Sequence, residues 1–121
     1  MANPNLASVE TIQGFGISAA VTTSDIDIIS NVASDWIYKV TTLMISNIDA
    51  VNTATVSIKV RCDGATFFEI GPAIAIPPKT VLTFVDRNNS IYLEPTDYLR
   101  ISASASGDLV YYCGGEKMYT S

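Results

Sequence analysis

Few residues in this 121-residue sequence have a type and spacing that suit catalysis. The chain contains no histidine, which excludes the usual nucleophile–histidine pairs, and no spacing places one of the four lysines beside a serine. Asp25 and Asp27 share one face of a predicted strand and resemble a carboxylate pair. Because Ile26 and Ile28 alternate with them, a solvated edge strand is the simpler interpretation. The sequence predicts no catalytic residue and indicates that the protein is not an enzyme.

Metal ligands are equally sparse. Cys62 and Cys113 lie far apart, and without a CxxC pair or a histidine they form no zinc pattern. Two buried thiols are the simplest prediction, with a disulfide as the alternative if their strands adjoin in an oxidising medium. The stretch DRNNS (86–90) supplies oxygen ligands but lacks the glycine and distal glutamate of an EF-hand loop. It favours a turn, with an ion as the alternative, so no metal or cofactor is predicted.

The aromatic residues suit either packing or contact. Tyrosine is common on strands, where one end of the side chain is apolar and the other is wet, and it is enriched at protein interfaces. A sugar-stacking platform is the third interpretation. The candidate interface residues are the late tyrosines, two aromatic residues of the middle segment and three apolar residues near the N-terminus: Leu6, Val9, Ile12, Trp36, Tyr38, Tyr111, Tyr112 and Tyr119.

The charge distribution argues against nucleic acid as a partner. Twelve acidic and seven basic residues give a net charge of −5, and the basic residues are scattered singly. Nucleic-acid binding normally needs a positive patch that displaces counterions from phosphates. No apolar run approaches the roughly 20 residues that span a bilayer, and the N-terminus lacks the pattern of a signal peptide, so no membrane association is expected.

The composition favours strands over helices. Valine, isoleucine and threonine together account for 36 residues, against six leucines and four glutamates. Branching at Cβ restricts side-chain rotamers in a helix but suits a pleated surface. Residues 54–62 and 97–105 alternate apolar and polar side chains with the period of two that is typical of half-buried strands.

The segment 36–47 changes face along its length. Trp36, Tyr38 and Val40 share one face of a strand, whereas Leu43 and Ile45 fall on the other. A β-bulge near Thr41 and Thr42, or a strand that crosses between sheets, would bring both sets to the same side, and the bulge is the favoured interpretation. A subunit contact that covers both faces is the alternative.

Turn signals recur every eight to twelve residues, the spacing expected of a sandwich. We predict one all-β domain, an antiparallel β-sandwich of jelly-roll type with about eight or nine strands. Two of the ten candidate segments are expected to merge or fail: 7–13, 16–22, 25–30, 36–47, 54–62, 66–71, 80–86, 90–94, 97–105 and 108–113.

The two ends of the chain are predicted to lie outside this domain. Residues 1–14 are polar with a few apolar anchors and form an N-terminal arm that either frays or adds a strand to a neighbour's sheet. Residues 15–113 form the sandwich. Gly114 and Gly115 are expected to release the last strand, which leaves 114–121 as a C-terminal tail.

The order of the motifs carries a resemblance. SNIDAVNTATVSIKV, followed by GPAIAIPPKTVLTFVDRNNSIYLEPTDYLRISASASGDL, resembles a family of small structural proteins of tailed bacteriophages. The shared pattern is an Asn-rich turn into a T-V-x-V strand, an I-P-x-x-T-L type corner, a D-x-x-x-x-I-Y-L-E-x-x-D-x-L hairpin and a last strand of small residues. The match covers about residues 46–113.

The resemblance implies a virion protein assembled in the cytoplasm of a bacterial host. The leading expectation is a capsid decoration (cement) protein that binds the major capsid protein as a homo-oligomer, with a trimer favoured. A neck, tail or baseplate protein of the same fold is the first alternative. A carbohydrate-binding adhesin module that uses exposed aromatic residues is the second.

Overall fold

Nine antiparallel strands build the computed structural model, which describes residues 9–62 and 64–120. The strands are β1 (Val9–Ala20), β2 (Ile26–Ile29), β3 (Trp36–Asn47), β4 (Ala54–Arg61), β5 (Phe68–Ile76), β6 (Val81–Val85), β7 (Ile91–Leu93), β8 (Tyr98–Ala103) and β9 (Leu109–Thr120). No helix occurs among these described residues. The predicted all-β class is confirmed. It agrees with the excess of β-branched residues, which favour strands.

The strands form two sheets whose order is that of a jelly roll. One sheet has the order β1-β9-β3-β6, with β7 also paired to β3, and the other has the order β2-β8-β4-β5. The strands β6 and β7 pair with successive parts of β3 and so occupy one position. Counted that way there are eight positions, and first pairs with last, second with seventh, third with sixth and fourth with fifth, as in a folded-up antiparallel ribbon.

The core lies between the sheets. The alternation predicted for β4 and β8 is confirmed, since Val56, Ile58, Leu99 and Ile101 are fully buried. The other large, fully buried side chains come from both sheets and from the segments beside them: Val21, Val40, Leu43, Ile45, Ile76, Val85, Leu93 and Leu109. Burial of this apolar surface, at about 25 cal/mol per Å², is the main favourable term in folding.

The face change in the 36–47 segment is a bulge, as predicted. The pairing of β3 with β9 shifts register between Val40 and Thr42, so that Val40, Leu43 and Ile45 all point into the core. Gly115 lies opposite the bulge. A Cβ atom there would stand 2.0 Å from the carbonyl oxygen of Lys39, and only glycine leaves room for the two backbones.

Both ends of the described chain differ from the expected pattern. The predicted segments 7–13 and 16–22 share one strand, since β1 runs without a break from Val9 to Ala20, and the last strand runs on through Gly114 and Gly115 to Thr120. Residues 9–14 pair with residues 116–120. Gly14 pairs with Glu116, Phe15 with Gly115 and Gly16 with Gly114, so the ladder between β1 and β9 continues through the glycines of both strands. Residues 1–8 and Ser121 lie outside the described residues.

In two of the predicted turns an aspartate side chain accepts a hydrogen bond from the backbone. In EPTD (94–97), the Asp97 N–H donates to the Glu94 carbonyl at 3.0 Å, and the Asp97 carboxylate accepts from the Glu94 N–H at 2.8 Å. In DRNNS, the Asp86 carboxylate accepts from the Asn88 N–H at 2.9 Å, and this confirms the predicted turn. Pro77 and Pro78 lie between β5 and β6, outside any strand, as expected.

One strand extends further than predicted. The structure continues β5 from Phe68 through Pro72 to Ile76, whereas the sequence indicated an end at residue 71. Because β5 is the edge strand of its sheet, Pro72 needs no ladder partner on its outer side.

Candidate assembly surfaces

Three twelve-residue strands, β1, β9 and β3, lie side by side and build the outer face of the five-stranded sheet. It is formed by alternate residues of β1, β9 and β3, which point away from the core: Ile12, Gly14, Gly16, Ser18, Ala20, Ile37, Lys39, Met44, Ser46, Val110, Tyr112, Gly114, Glu116 and Met118. We call this set the outer face. It carries two charged side chains among fourteen, and most of the others are small or apolar.

Tyr112 lies flat at the centre of the outer face. A Cβ atom at Gly114 would stand 2.6 Å from its hydroxyl oxygen, and one at Gly16 would stand 2.9 Å from the same atom. The ring therefore covers the bare backbone of two paired glycines. It remains 42% exposed, so its other side faces solvent.

Two shallow hollows flank this ring. One, of about 640 Å³, is lined by the glycines together with Thr42, Arg87 and Glu116. The other, of about 460 Å³, is mostly apolar and is lined by Ala20, Met44, Ser46 and other residues of the same face. A flat face with shallow hollows suits a broad partner surface better than an enclosed small ligand, which needs a deep pocket.

A row of apolar side chains crosses the same face near one end. Ile12 pairs with Met118, and Met118 pairs with Ile37. Ile37 and Met118 are buried, whereas Ile12 is 60% exposed. Of the predicted N-terminal contacts, Ile12 is thus exposed, Val9 is half-buried at the start of β1, and Leu6 lies outside the described residues.

Three predicted aromatic contacts instead lie on the inner side of the sheet. The Trp36 and Tyr119 rings are 5.2 Å apart, and the Lys117 ammonium lies 5.5 Å from the Trp36 ring centre. Tyr38 meets Phe15 edge to face at 5.2 Å. These half-buried rings pack at the margin of the core.

The neighbouring tyrosines of β9 have opposite environments. Tyr111 points inward and is 6% exposed, while Tyr112 points outward. Burial, followed by the nearby Cys113 thiol, raises the pKa of Tyr111. The alternation of Leu109, Tyr111 and Cys113 is the sequence signal that separates the two tyrosines.

The aspartates of SDIDI are paired with basic residues. Asp27 accepts from the Arg100 guanidinium at 2.8 Å, and Asp25 lies 3.3 Å from the Lys59 ammonium. The hydrogen bond with Asp27 raises the pKa of Arg100. Because β2 is an edge strand, these charges blunt the edge, as the sequence predicted.

Stacked cations and rings continue from these ion pairs. The Arg100 guanidinium lies 3.7 Å from the Phe67 ring centre, and the Arg61 guanidinium lies 4.3 Å from that of Tyr98. Sequence alternation placed Tyr98 and Arg100 on the outside of their strand but did not reveal this stacking. Arrangements of this kind stabilise the outer surface of the four-stranded sheet.

The cysteines differ from each other. Cys113 is buried, and burial raises the pKa of its thiol to about 12, which keeps it protonated. Cys62 is exposed beyond the end of β4, so the prediction of two buried thiols is wrong for Cys62. The alternation of β4 points Cys62 inward, but the strand ends at Arg61 and the core does not extend that far.

Within residues 9–62 and 64–120, no three His, Cys, Asp or Glu side chains are grouped so that they could hold a metal ion. The same part of the chain contains no helix long and apolar enough to cross a membrane.

The fold is shared with proteins of repetitive assemblies. The structure is similar to a Bacillus endospore appendage protein, from a family described as disulfide-linked pili, with a TM-score of 0.55 at 16% identity over 99% of this chain and 91% of that one. It is also similar to a protein of the T13 IBDV viral particle, with a TM-score of 0.50 at 10% identity over 93% of this chain. The match spans 32% of the viral protein.

A third similarity is weaker. A pentameric capsid protein from metagenomic phage sequences gives a TM-score of 0.39 at 16% identity, over 86% of this chain and 60% of that one, which is too low to support an argument. At these identities the matches show the fold alone. No protein-family model matches the sequence, and no curated protein does.

Proposed function

We propose that this chain is a non-enzymatic structural subunit of a virion, and more narrowly a capsid decoration (cement) protein of a tailed bacteriophage. The observation that carries the proposal is the outer face, a broad and nearly uncharged sheet surface with an exposed tyrosine at its centre. A depletion of charge with an exposed aromatic residue is typical of the core of a protein interface.

The proposed partner is the major capsid protein. A decoration protein that binds only the assembled lattice stabilises it by mass action, because its binding free energy is lost when the shell comes apart. The small net charge on the outer face allows close approach without desolvating many ions. The phage resemblance of residues 46–113 and the fold shared with a viral particle protein and a pilus subunit support such a role.

Purified particles offer the direct experiment. Quantitative mass spectrometry would give the copy number of this chain relative to the major capsid protein, and we expect a count of the same order. A count near that of portal or tail-tip proteins would replace decoration with a neck, tail or baseplate role. Absence from the particle would overturn the virion proposal.

A matched pair of variants tests which face binds. Ser46 lies on the outer face, and Ser102 has similar partial exposure on the four-stranded sheet. Ser46→Lys should weaken binding to capsids that lack this chain by about tenfold or more, because a charge would be desolvated at the contact. Ser102→Lys should leave binding unchanged. Equal effects of the two substitutions would exclude the outer face as the contact.

One observation favours a second candidate function. The exposed ring of Tyr112, beside the hollow that Arg87 and Glu116 line, has the form of a platform for a sugar. A carbohydrate-binding module would then be the function. Glycan-array binding that is lost in Tyr112→Ala but kept in Tyr92→Ala, another exposed tyrosine, would support this second candidate over decoration.

A further inference from the structure

The two sheets have four edges, and three of them are blunted. The β2 edge is four residues long and carries Asp27. The β5 edge contains Pro72 and two register shifts. The edge made by β6 and β7 is interrupted by the turn at 86–90. Short length, charge, proline and irregularity are the features that keep strand edges from pairing with other chains.

The β1 edge is long and, from Thr11 onward, lacks these features. It is twelve residues long and contains no proline, and its one charged residue, Glu10, and its one register shift, between Val9 and Thr11, both lie at its start. Among the described residues, β9 pairs with one side of β1 and no strand pairs with the other. Phe15 and Ile17 pack against the core yet stay half-buried, since no strand lies beyond them.

We propose that two copies of the chain pair through β1, antiparallel to each other, about a two-fold axis at Phe15. The occupant of the edge is thus β1 of a second copy, and the two five-stranded sheets become one continuous sheet. A two-fold contact uses the same patch twice, so the strand must be complementary to itself.

The sequence of β1 meets that requirement. Odd-numbered residues face the core, so an antiparallel pair that keeps both cores on one side sets odd residues opposite odd residues. An axis at Phe15 places the two Phe15 rings opposite each other and Ile12 opposite Ser18 of the second copy. Aromatic pairs stabilise neighbouring strands, and this register sets no like charges opposite each other.

This inference is independent of the proposed virion function, because it rests on strand geometry alone. It predicts a dimer in solution, whereas the phage resemblance favoured a trimer. The same measurement therefore separates the two expectations, and a dimer would be found whether or not the chain belongs to a particle.

Sedimentation of the purified full chain over a concentration series tests the pairing. Ile12 and Ser18 are exposed, so substitutions there change the edge with little effect on the fold. I12K/S18K sets the introduced lysines opposite each other twice and should weaken the dimer by about tenfold or more. I12K/S18E sets opposite charges together and should restore it. S34K/A50K, in exposed loops, controls for added positive charge.

The results divide cleanly, with circular dichroism to verify that each variant is folded. A wild-type dimer that I12K/S18K weakens and I12K/S18E restores would support the pairing. A monomer at every concentration would show that the edge is covered otherwise and would overturn the proposal. A trimer, or a dimer that both variants affect equally, would overturn it as well.

Discussion

At the scale of single residues, Gly115 is the glycine with the least room for a side chain. It faces the bulge of β3, where the chain carries one residue more than its partner and the two backbones come close together. The change of face in the sequence indicated the bulge. We predicted, however, that Gly114 and Gly115 would end the last strand. A glycine that relieves crowding and a glycine that ends a strand have the same letter, and only the long-range pairing of β9 distinguishes them.

Gly115→Ala should destabilise the fold by about 3 kcal/mol or more, because the new Cβ would overlap the Lys39 carbonyl. Gly14→Ala is the matched control on the neighbouring strand. There the nearest atom to a new Cβ is 3.9 Å away, and the change should stay within about 1 kcal/mol. Urea unfolding of both variants measures the difference, and equal losses would show that crowding at Gly115 is unimportant.

The two thiols should differ in reactivity. In the folded chain a thiol reagent at mildly alkaline pH should modify Cys62, which is exposed, and spare Cys113, whose burial raises its pKa to about 12. In denaturant both should react. Cys62→Ser should remove the fast reaction and keep the slow one, and fast modification of two thiols in the folded wild type would contradict the burial of Cys113.

At the scale of elements, the sequence predicted the strands whose apolar and polar residues alternate locally. The segment 36–47 matches β3 at both ends, and β4 and β8 alternate as expected. The prediction allowed for a merger among the ten candidate segments but did not identify 7–13 and 16–22 as the pair, because Gly14 and Gly16 weaken the local strand signal. Their pairing with Gly114–Glu116, about a hundred residues away, holds β1 together, and a local pattern carries no trace of it.

The loops after β3 and before β9 bring two carboxylates together. The Asn52 and Val51 N–H groups lower the pKa of Asp49. Desolvation and the nearby Asp49 charge raise the pKa of Asp108. Ionisation of Asp49 therefore favours the folded state, and this contribution is lost as pH falls through its lowered pKa. Ionisation of Asp108 opposes folding, and this penalty disappears as pH falls below the ordinary value of 3.8.

Asp108→Asn should therefore raise the melting temperature at pH 7, where it removes a like charge and its amide supplies a hydrogen-bond donor for Asp49. The gain should vanish below pH 3.8, where Asp108 of the wild type is protonated in both the folded and the unfolded chain. Thermal melts across this pH range provide the measurement. Asp86→Asn, within its own turn, serves as the control and should show no such gain at pH 7.

At the scale of the whole molecule, the sequence predicted the β-sandwich, whereas the pairing of individual strands could not be read from local patterns. Turn spacing and composition indicate an antiparallel sandwich, but no local feature pairs β1 with β9 or β2 with β8. The candidate surface shows the same division. Sequence singled out Tyr112, yet its flat position on Gly16 and Gly114 depends on the same long-range pairing.

The central place of β9 makes residues 114–120 part of the framework. They pair with β1 on one side and β3 on the other. Deleting 114–121 should abolish the cooperative thermal transition, as followed by circular dichroism. E116Q/K117Q, which keeps the strand and changes only two side chains on it, should unfold as the wild type does. A truncated chain with an unchanged melting temperature would support the division of the chain at residue 113.

The position of β9 between β1 and β3 also sets the timing of folding during protein synthesis. The strand β1 is complete at Ala20, but the strand that joins it to the sheet ends at Thr120, a hundred residues later. At about 5–20 residues per second, a ribosome needs on the order of 5–20 s to make that stretch. For that interval β1 lacks the strand that joins it to β3, so the five-stranded sheet forms late, and neighbouring nascent chains have time to exchange β9.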